Sequence, residues 1–163
     1  MNEWNFKDGK GPVPAHKHTN GSGWISDTAS VADSAYVGAY ARVFGDATVS
    51  GNASVFGNAM IYGEALISGN AQISGNAIVY GDAKISGYAK VFDDAKVYGK
   101  AGVSENAWIS GYAEVFGAAE IFGKSSVHET AQVYDNAKVY GDALVYGYAR
   151  ILNEFPLMSN SDA

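Results

Sequence analysis

Hydrophobic and polar residues recur along this chain with a period of six. Every sixth residue from Ile25 to Ile151 is Val or Ile, which makes 22 such positions without an insertion. The residue two places before the next Val or Ile is Ala throughout, except at Ser125. Residues 71–76, AQISGN, form one repeat. Because successive side chains of a strand point to opposite faces, Ala and Ile lie on one side and Gln and Ser on the other.

A turn follows each of these short strands. In most repeats Gly comes next and Asn or Asp often follows it, as at residues 75–76. Gly adopts positive φ freely, and Asn and Asp tolerate it better than most residues. An α-helix is excluded, since a six-residue period rich in Gly and β-branched residues fits no helical stripe. We therefore predict an all-β coiled ribbon, in which each strand pairs with the strand one coil further along.

The repeat unit [VI]-x-G-[ND]-A-x resembles the hexapeptide repeat of left-handed parallel β-helices, in which three hexads make one 18-residue coil. It is most similar to the uninterrupted subgroup of that family, with units such as VYGDAKI at residues 79–85; proteins of this subgroup are often labelled transferases. The resemblance covers residues 25–150. It implies a triangular left-handed parallel β-helix of about seven coils, roughly 34 Å long at ~4.8 Å per coil.

The ends of such a solenoid need caps, because they leave open strand edges and an uncovered core. We expect residues 1–24 to form an N-terminal cap, residues 25–150 the β-helix, and residues 151–163 a C-terminal cap and tail. The candidate closing residues are aromatic or aliphatic: Trp4, Phe6 and Trp24 at the first coil, and Leu152, Phe155, Leu157 and Met158 at the last.

Outward residues 18 apart stack into columns, and one face carries an aromatic column with apolar neighbours. Its members are Phe44, Met60, Tyr62, Ile78, Tyr80, Tyr98, Phe116 and Tyr134. Such stacking stabilises neighbouring coils, but contiguous exposed apolar patches also mark contact sites. We expect this face to join a homo-oligomer, a dimer or a trimer, since relatives of this fold are commonly trimers. A platform for a carbohydrate or another ring-stacking ligand is the other alternative.

Acyltransferases occur in the same family, and the resemblance implies a catalytic histidine near a cleft between subunits. His128 is the single histidine of the array, with Ser126 on the same strand and Lys124 and Glu129 nearby. A general base needs a partner within hydrogen-bond reach in a shaped pocket. Because the array has no loop excursion to shape one, we expect His128 to be an ordinary surface residue and only a weak catalytic candidate.

The segment AHKH contains His16 and His18, which are weak candidates for metal ligands. Spaced two apart on an extended segment, both could face one way and hold a metal ion with a third ligand. The simpler interpretation is a cap with solvent-facing histidines. We therefore expect neither a metal nor a cofactor.

The composition narrows the classes of partner. There are 11 Lys and Arg residues against 17 Asp and Glu, a formal net charge of -6, which argues against a nucleic-acid partner. Without Cys there are no disulfides or thiolate sites. No apolar stretch reaches the ~18 residues of a membrane helix, and the start, MNEWNFKDGK, lacks the apolar region of a secretory signal. We expect a cytoplasmic protein without a membrane partner.

The uninterrupted array favours a non-catalytic, oligomeric interaction or scaffold protein. The cap motif GPVPAHKHTNGSGWI, residues 11–25, resembles one found in short phage and prophage solenoids. That resemblance implies a mobile-element product that binds a host protein or a small ligand. The alternative is a hexapeptide-repeat acyltransferase that uses acyl-CoA at an inter-subunit cleft.

Overall fold

The protein is described by a computed structural model that covers residues 2–152. These residues contain 24 β-strands and no helix. Each array strand pairs in parallel with the strand 18 residues further along, for example Gln72 with Lys90 and Ile73 with Val91. Nothing in this part of the chain forms a helix long and apolar enough to cross a membrane. The all-β solenoid of about seven turns that the periodicity predicts is confirmed; its left-handed winding remains a prediction from the resemblance.

Most strands contain only two residues. Their bounds in chain order are β1 Glu3–Asn5, β2 Pro12–Lys17, β3 Trp24–Ser26, β4 Ser30–Val31, β5 Tyr36–Val37, β6 Arg42–Val43, β7 Thr48–Val49, β8 Ser54–Val55, β9 Met60–Ile61, β10 Leu66–Ile67, β11 Gln72–Ile73, β12 Ile78–Val79, β13 Lys84–Ile85, β14 Lys90–Val91, β15 Lys96–Val97, β16 Gly102–Val103, β17 Trp108–Ile109, β18 Glu114–Val115, β19 Glu120–Ile121, β20 Ser126–Val127, β21 Gln132–Tyr134, β22 Lys138–Val139, β23 Leu144–Val145 and β24 Arg150–Leu152.

Three sheets form the sides of the solenoid. The aromatic sheet has ten strands in the order β1-β2-β3-β6-β9-β12-β15-β18-β21-β24. The serine sheet, named after its outward Ser column, has the order β4-β7-β10-β13-β16-β19-β22. The mixed sheet has the order β5-β8-β11-β14-β17-β20-β23. Every third strand of the array therefore belongs to the same sheet.

The core is a narrow column of Ala and Val or Ile. In the repeat quoted above, Ala71 and Ile73 have no exposed surface, whereas Gln72 is exposed. The one exception to Ala is Ser125, which is also fully buried. Its hydroxyl donates a 2.7 Å hydrogen bond to the carbonyl of Phe122. A buried hydroxyl costs little when it is hydrogen-bonded, so this substitution fits the core.

The turns depend on positive φ. Gly75 has φ of 66°, and a Cβ added there would lie 2.8 Å from the backbone nitrogen and oxygen of Asp93. Some repeats carry an acidic residue at this place, with positive φ as well: Asp93, Glu105, Glu129 and Asp135. The Asp93 carboxylate accepts a 3.1 Å hydrogen bond from the backbone N–H of Gly111 in the next coil. Glu105 and Glu129 accept the same kind of bond from Gly123 and Gly147.

The N-terminal cap extends the aromatic sheet. Strands β1 and β2 form an antiparallel hairpin, and β2 pairs antiparallel with β3. Phe6 is buried against Phe44, while Trp4 and Trp24 stack with ring centroids 4.3 Å apart. The expectation that Trp4, Phe6 and Trp24 plug the first coil is wrong, because none of them belongs to the core cluster inside the solenoid; Phe6 and Trp24 pack in a separate cluster with Phe44.

The loop after β2 covers the open edge of the mixed sheet. The backbone N–H of Gly23 donates to the carbonyl of Val37 at 2.9 Å, and the N–H of Val37 donates to the carbonyl of Asn20 at 3.0 Å. The cap therefore satisfies backbone groups of β5 that have no earlier coil to pair with. At the other end, β24 ends at Leu152, whose side chain is exposed. Phe155, Leu157 and Met158 lie outside the described residues.

Two glycine substitutions test the role of the turns. We expect Gly75→Ala to lower the free energy of unfolding by at least about 1–2 kcal/mol, because Ala must take a left-handed conformation against the next coil. Gly102 in β16 lacks positive φ and has open space around it, so Gly102→Ala should raise that free energy by about 0.4–1 kcal/mol. Denaturant unfolding followed by circular dichroism measures both. Equal effects of the two variants would contradict this account of the turns.

Candidate functional site

A stack of seven rings runs along the outer surface of the aromatic sheet. Neighbouring ring centroids lie 4.8–5.0 Å apart, and the planes are nearly parallel. This spacing is the rise from one coil to the next, so the 18-residue period imposes it. The rings belong to Phe6, Phe44, Tyr62, Tyr80, Tyr98, Phe116 and Tyr134. We call this set the ring ladder.

The rings cover one another's faces. Phe44 is buried and the ladder residues after it are half-buried. Stacked aromatic pairs contribute about 0.5–1.5 kcal/mol each beyond the area that they bury. The ring ladder therefore stabilises neighbouring coils, which is one of the three roles that the sequence suggests for it.

A shallow groove lies beside the ring ladder. Its volume is about 520 Å³, and its floor includes Met60 and Ile78, which are half-buried register neighbours. Part of its wall is a column of residues 18 apart at the corner before this sheet: Asn58, Asn76 and Asp94. There the side-chain amide of Asn58 donates to Asn76 at 3.1 Å, and the amide of Asn76 donates to the Asp94 carboxylate at 3.0 Å. An apolar floor with a polar wall is the usual composition of a contact surface.

The two ends of this groove differ in charge: one carries the Arg42 cation, and the other carries the ion pair between Lys96 and Glu114. At one end the Arg42 guanidinium donates to the carbonyl of Phe6 at 3.4 Å. At the other end Glu114 accepts hydrogen bonds from Lys96 at 3.4 Å and from Gln132 at 3.3 Å. Arg42 and Glu114 occupy the same outward column, four coils apart.

Burial raises the pKa of three tyrosines of the ring ladder, Tyr62, Tyr80 and Tyr98. Burial raises the pKa of Tyr98 to about 12, and the Glu114 carboxylate adds to that shift. Burial also raises the pKa of Tyr62, and the neighbouring Tyr80 adds to the effect. For Tyr80, burial raises the pKa although the Lys96 ammonium opposes the shift.

The two cap histidines have different surroundings. His16 is exposed, and its Nδ1 lies 2.9 Å from a carboxylate oxygen of Asp27. His18 is buried, and its Nε2 donates to the carbonyl of Ala35 at 3.0 Å. The expectation that both face solvent is therefore wrong for His18, which the chain uses to satisfy the open edge at β5. Within residues 2–152 no group of three or more His, Cys, Asp or Glu side chains is arranged to hold a metal ion.

His128 lies on the mixed sheet. Its ring stacks on Tyr146 with centroids 5.6 Å apart and an angle of 14° between the planes. The Glu129 carboxylate accepts a hydrogen bond from the N–H of Gly147 in the next coil. That His128 is an ordinary surface residue, and only a weak catalytic candidate, stays a prediction.

Two parts of the candidate site were not predicted from the sequence. Phe6 joins the ring ladder above Phe44, at a place that the strict period assigns to Ser26. The hydrogen bonds that link Asn58 to Asn76 and Asn76 to Asp94 at the corner were not predicted either. Their 18-residue spacing could have indicated the second feature. Nothing in the repeat could indicate the first, because the hairpin that carries Phe6 runs antiparallel to it.

The fold and its outward columns define the class of protein: a β-solenoid built from hexapeptide repeats. Residues 41–55, 71–87 and 131–147 match the family model of the YdcK β-solenoid repeat. In these three segments the chain is similar to the repeats of that family. Among curated proteins, none matches the chain significantly.

One solved structure with a similar arrangement comes from Bacillus cereus and is described as a putative acetyltransferase. The two chains align with a TM-score of 0.36 and 18% sequence identity, over 74% of this chain and 73% of the other. A similarity at this level says nothing about the activity of this chain.

The ladder tyrosines predict how stability depends on pH. The pKa values of Tyr62, Tyr80 and Tyr98 are raised in the folded state, so the unfolded chain releases these protons first as the pH rises. We expect the free energy of unfolding to fall between pH 10.0, the ordinary pKa, and about 12, the pKa of Tyr98 in the fold. Tyr98→Phe should reduce this loss, whereas Tyr148→Phe, at a ring that is 90% exposed, serves as the control.

Two readouts check this prediction: denaturant unfolding at several pH values, and the absorbance of tyrosinate in the folded protein. The wild-type protein should show a late step of ionisation near pH 12 that Tyr98→Phe lacks. A titration curve of the same shape in both proteins would contradict the raised pKa.

Proposed function

We propose that this protein is a non-catalytic β-solenoid that works as an interaction scaffold, and that two copies associate through the aromatic sheet. The observation that carries the proposal is the groove beside the ring ladder, with its apolar floor, Arg42 at one end and the Lys96–Glu114 ion pair at the other. A host-protein or small-ligand partner and a cytoplasmic location remain predictions from the sequence.

The apolar part of this surface supports contact with another protein surface. Met60 and Ile78 lie side by side in the groove, flanked by the half-buried rings of Tyr62 and Tyr80. The hydroxyl groups of the tyrosines give the patch a polar margin. The free energy falls when a matching apolar surface covers such a patch and excludes water from it.

The charged residues of the outward column indicate which partner surface fits the aromatic sheet. Arg42 lies two coils before Ile78 in the outward column, and Glu114 lies two coils after it. A second copy that packs face to face around a two-fold axis through Ile78 runs antiparallel. That arrangement places Arg42 opposite Glu114 of the partner subunit, and the same pair forms twice because the interface is isologous. We therefore favour a second copy as the occupant of this face.

The size of the face sets the expected strength of association. A sheet face about 34 Å long and about 13 Å wide offers roughly 400 Å² a side, which is half of a standard interface. We therefore expect a dimer that dissociates in the micromolar range rather than a permanent one.

Substitutions on the aromatic sheet test this interface. Ile78→Asp combined with Tyr80→Asp should convert the dimer to a monomer, because it places charges in the apolar centre of the contact. Analytical ultracentrifugation over a wide range of concentration measures the mass, and circular dichroism checks that the β-spectrum is kept. Leu66→Asp, at an exposed position of the serine sheet, is the control. A dimer that survives the double substitution would refute the choice of face.

A charge exchange tests the antiparallel geometry. Arg42→Glu alone should weaken the dimer at least tenfold, because it opposes two carboxylates at each end of the contact. Adding Glu114→Arg to that variant should restore most of the affinity. Failure of the second substitution to rescue the first, or a trimeric mass for the wild-type protein, would contradict the two-fold arrangement.

The acyltransferase alternative makes a different prediction. A ligand that binds the native state raises the melting temperature, so CoA or acetyl-CoA should stabilise such an enzyme. We expect no change in Tm with millimolar CoA. An increase that disappears in His128→Ala would overturn the non-catalytic proposal.

A further inference from the structure

A second depression lies on the mixed sheet, on another side of the solenoid from the groove. Its volume is about 570 Å³. Its lining combines two aromatic rings, two lysines and two small polar side chains: Tyr88, Lys90, Asn106, Trp108, Lys124 and Ser126. These residues come from β14, β17 and β20 and from the adjoining corner.

Trp108 presents part of an aromatic ring to solvent and is 49% exposed. On the side of the preceding coil, the Lys90 ammonium lies 5.2 Å from its ring centroid, and Phe92 meets the ring edge-on at 6.5 Å. On the side of the following coil its register neighbour is Ser126, whose side chain is too small to cover a ring. The rings of the ladder cover one another, whereas this indole keeps a face for a ligand.

The depression is locally positive in an acidic protein. Lys90 and Lys124 stand two coils apart, roughly 10 Å along the axis. Neither ammonium forms an ion pair with a carboxylate among residues 2–152. Two acidic residues lie at this corner: Glu105 directs a carboxylate oxygen to the backbone N–H of Gly123, and Asp142 follows Lys124 by one coil in the column of Tyr88 and Asn106. Two cations are therefore available for an anionic group.

The remaining lining groups are neutral donors and acceptors. They are the hydroxyls of Tyr88 and Ser126 and the side-chain amide of Asn106. Backbone N–H groups are not available in the same way: those of Asn106 and Trp108 already donate to Gly123 and Ser125 in the next coil. A phosphate bound by a cradle of backbone N–H groups is thus disfavoured. Ligand hydroxyls, in contrast, would find matching side chains.

We propose that this depression binds an acidic saccharide. A pyranose ring stacks on the open face of Trp108, and a sugar carboxylate forms charge-assisted hydrogen bonds with Lys90 or Lys124. A pyranose on this face lies on the side of the following coil, where Lys124 stands, and Lys90 lies across the indole from it. The site is independent of the proposed dimer, because it lies on a different sheet.

The test is isothermal titration calorimetry with tetragalacturonic acid, with cellotetraose as the neutral probe and AMP as the nucleotide probe. For a shallow site we expect tetragalacturonic acid to bind with a Kd on the order of 0.1–1 mM, and more weakly as salt is added. Cellotetraose and AMP should bind at least tenfold more weakly. Quenching of tryptophan fluorescence gives a second readout.

Matched variants locate the binding. Trp108→Ala and the double variant Lys90→Gln/Lys124→Gln should each lower the affinity at least tenfold. The control Lys84→Gln/Lys100→Gln removes the same charge from exposed positions outside the mixed sheet and should leave the affinity unchanged. Circular dichroism verifies that each variant is folded.

Four results would overturn the proposal. They are the absence of binding at ten millimolar probe, equal affinities for the acidic and neutral tetrasaccharides, equal losses in the control and the test lysine variants, and binding of AMP alone at Trp108.

Discussion

Hydrogen bonds between successive coils are the interaction on which the whole structure depends. The backbone N–H of Gln72 donates to the carbonyl of Ala89 at 2.9 Å, the N–H of Ser74 donates to that of Val91, and the pattern repeats along the array. A strand of two residues has no stability by itself. It persists because the coils on both sides satisfy its backbone groups and bury its Ala and Val or Ile. The array is therefore stable only as a stack.

The same constraint determines where function can lie. Among residues 2–152 the interior is filled with Ala and Val or Ile, so the positions that can contact a ligand are the outward ones. Outward residues that are 18 apart lie in register, one coil above another. A residue type that recurs with this spacing therefore forms a column. At both proposed surfaces the residue type changes along such a column. Met60 and Ile78 form an apolar break in a charged column, and Trp108 stands between Lys90 and Ser126.

The ends of a parallel stack are chemically different. In this chain most backbone N–H groups that bond between coils outside the strands donate to the following coil, so the first coil is left mainly with free carbonyl groups, together with donors such as the N–H of Val37. His18 and Asn20 both donate from their side chains to the carbonyl of Ala35. This arrangement explains why a polar histidine is buried in a cap whose sequence looks solvent-exposed. It also shows that the cap is specific to the end that it covers.

The strands, the inward and outward faces, the 18-residue columns and the members of the ladder from Phe44 to Tyr134 could all be predicted from the sequence, because period and side-chain alternation are local properties. The place of Ser125 at an Ala position could be predicted in the same way. Three other features became visible in the folded chain alone: Phe6 completes the ladder, His16 and His18 have different surroundings, and Tyr88, Lys124 and Trp108 share one depression. Those features depend on how an antiparallel hairpin docks and on which rotamers meet across a corner, and neither is encoded in the repeat.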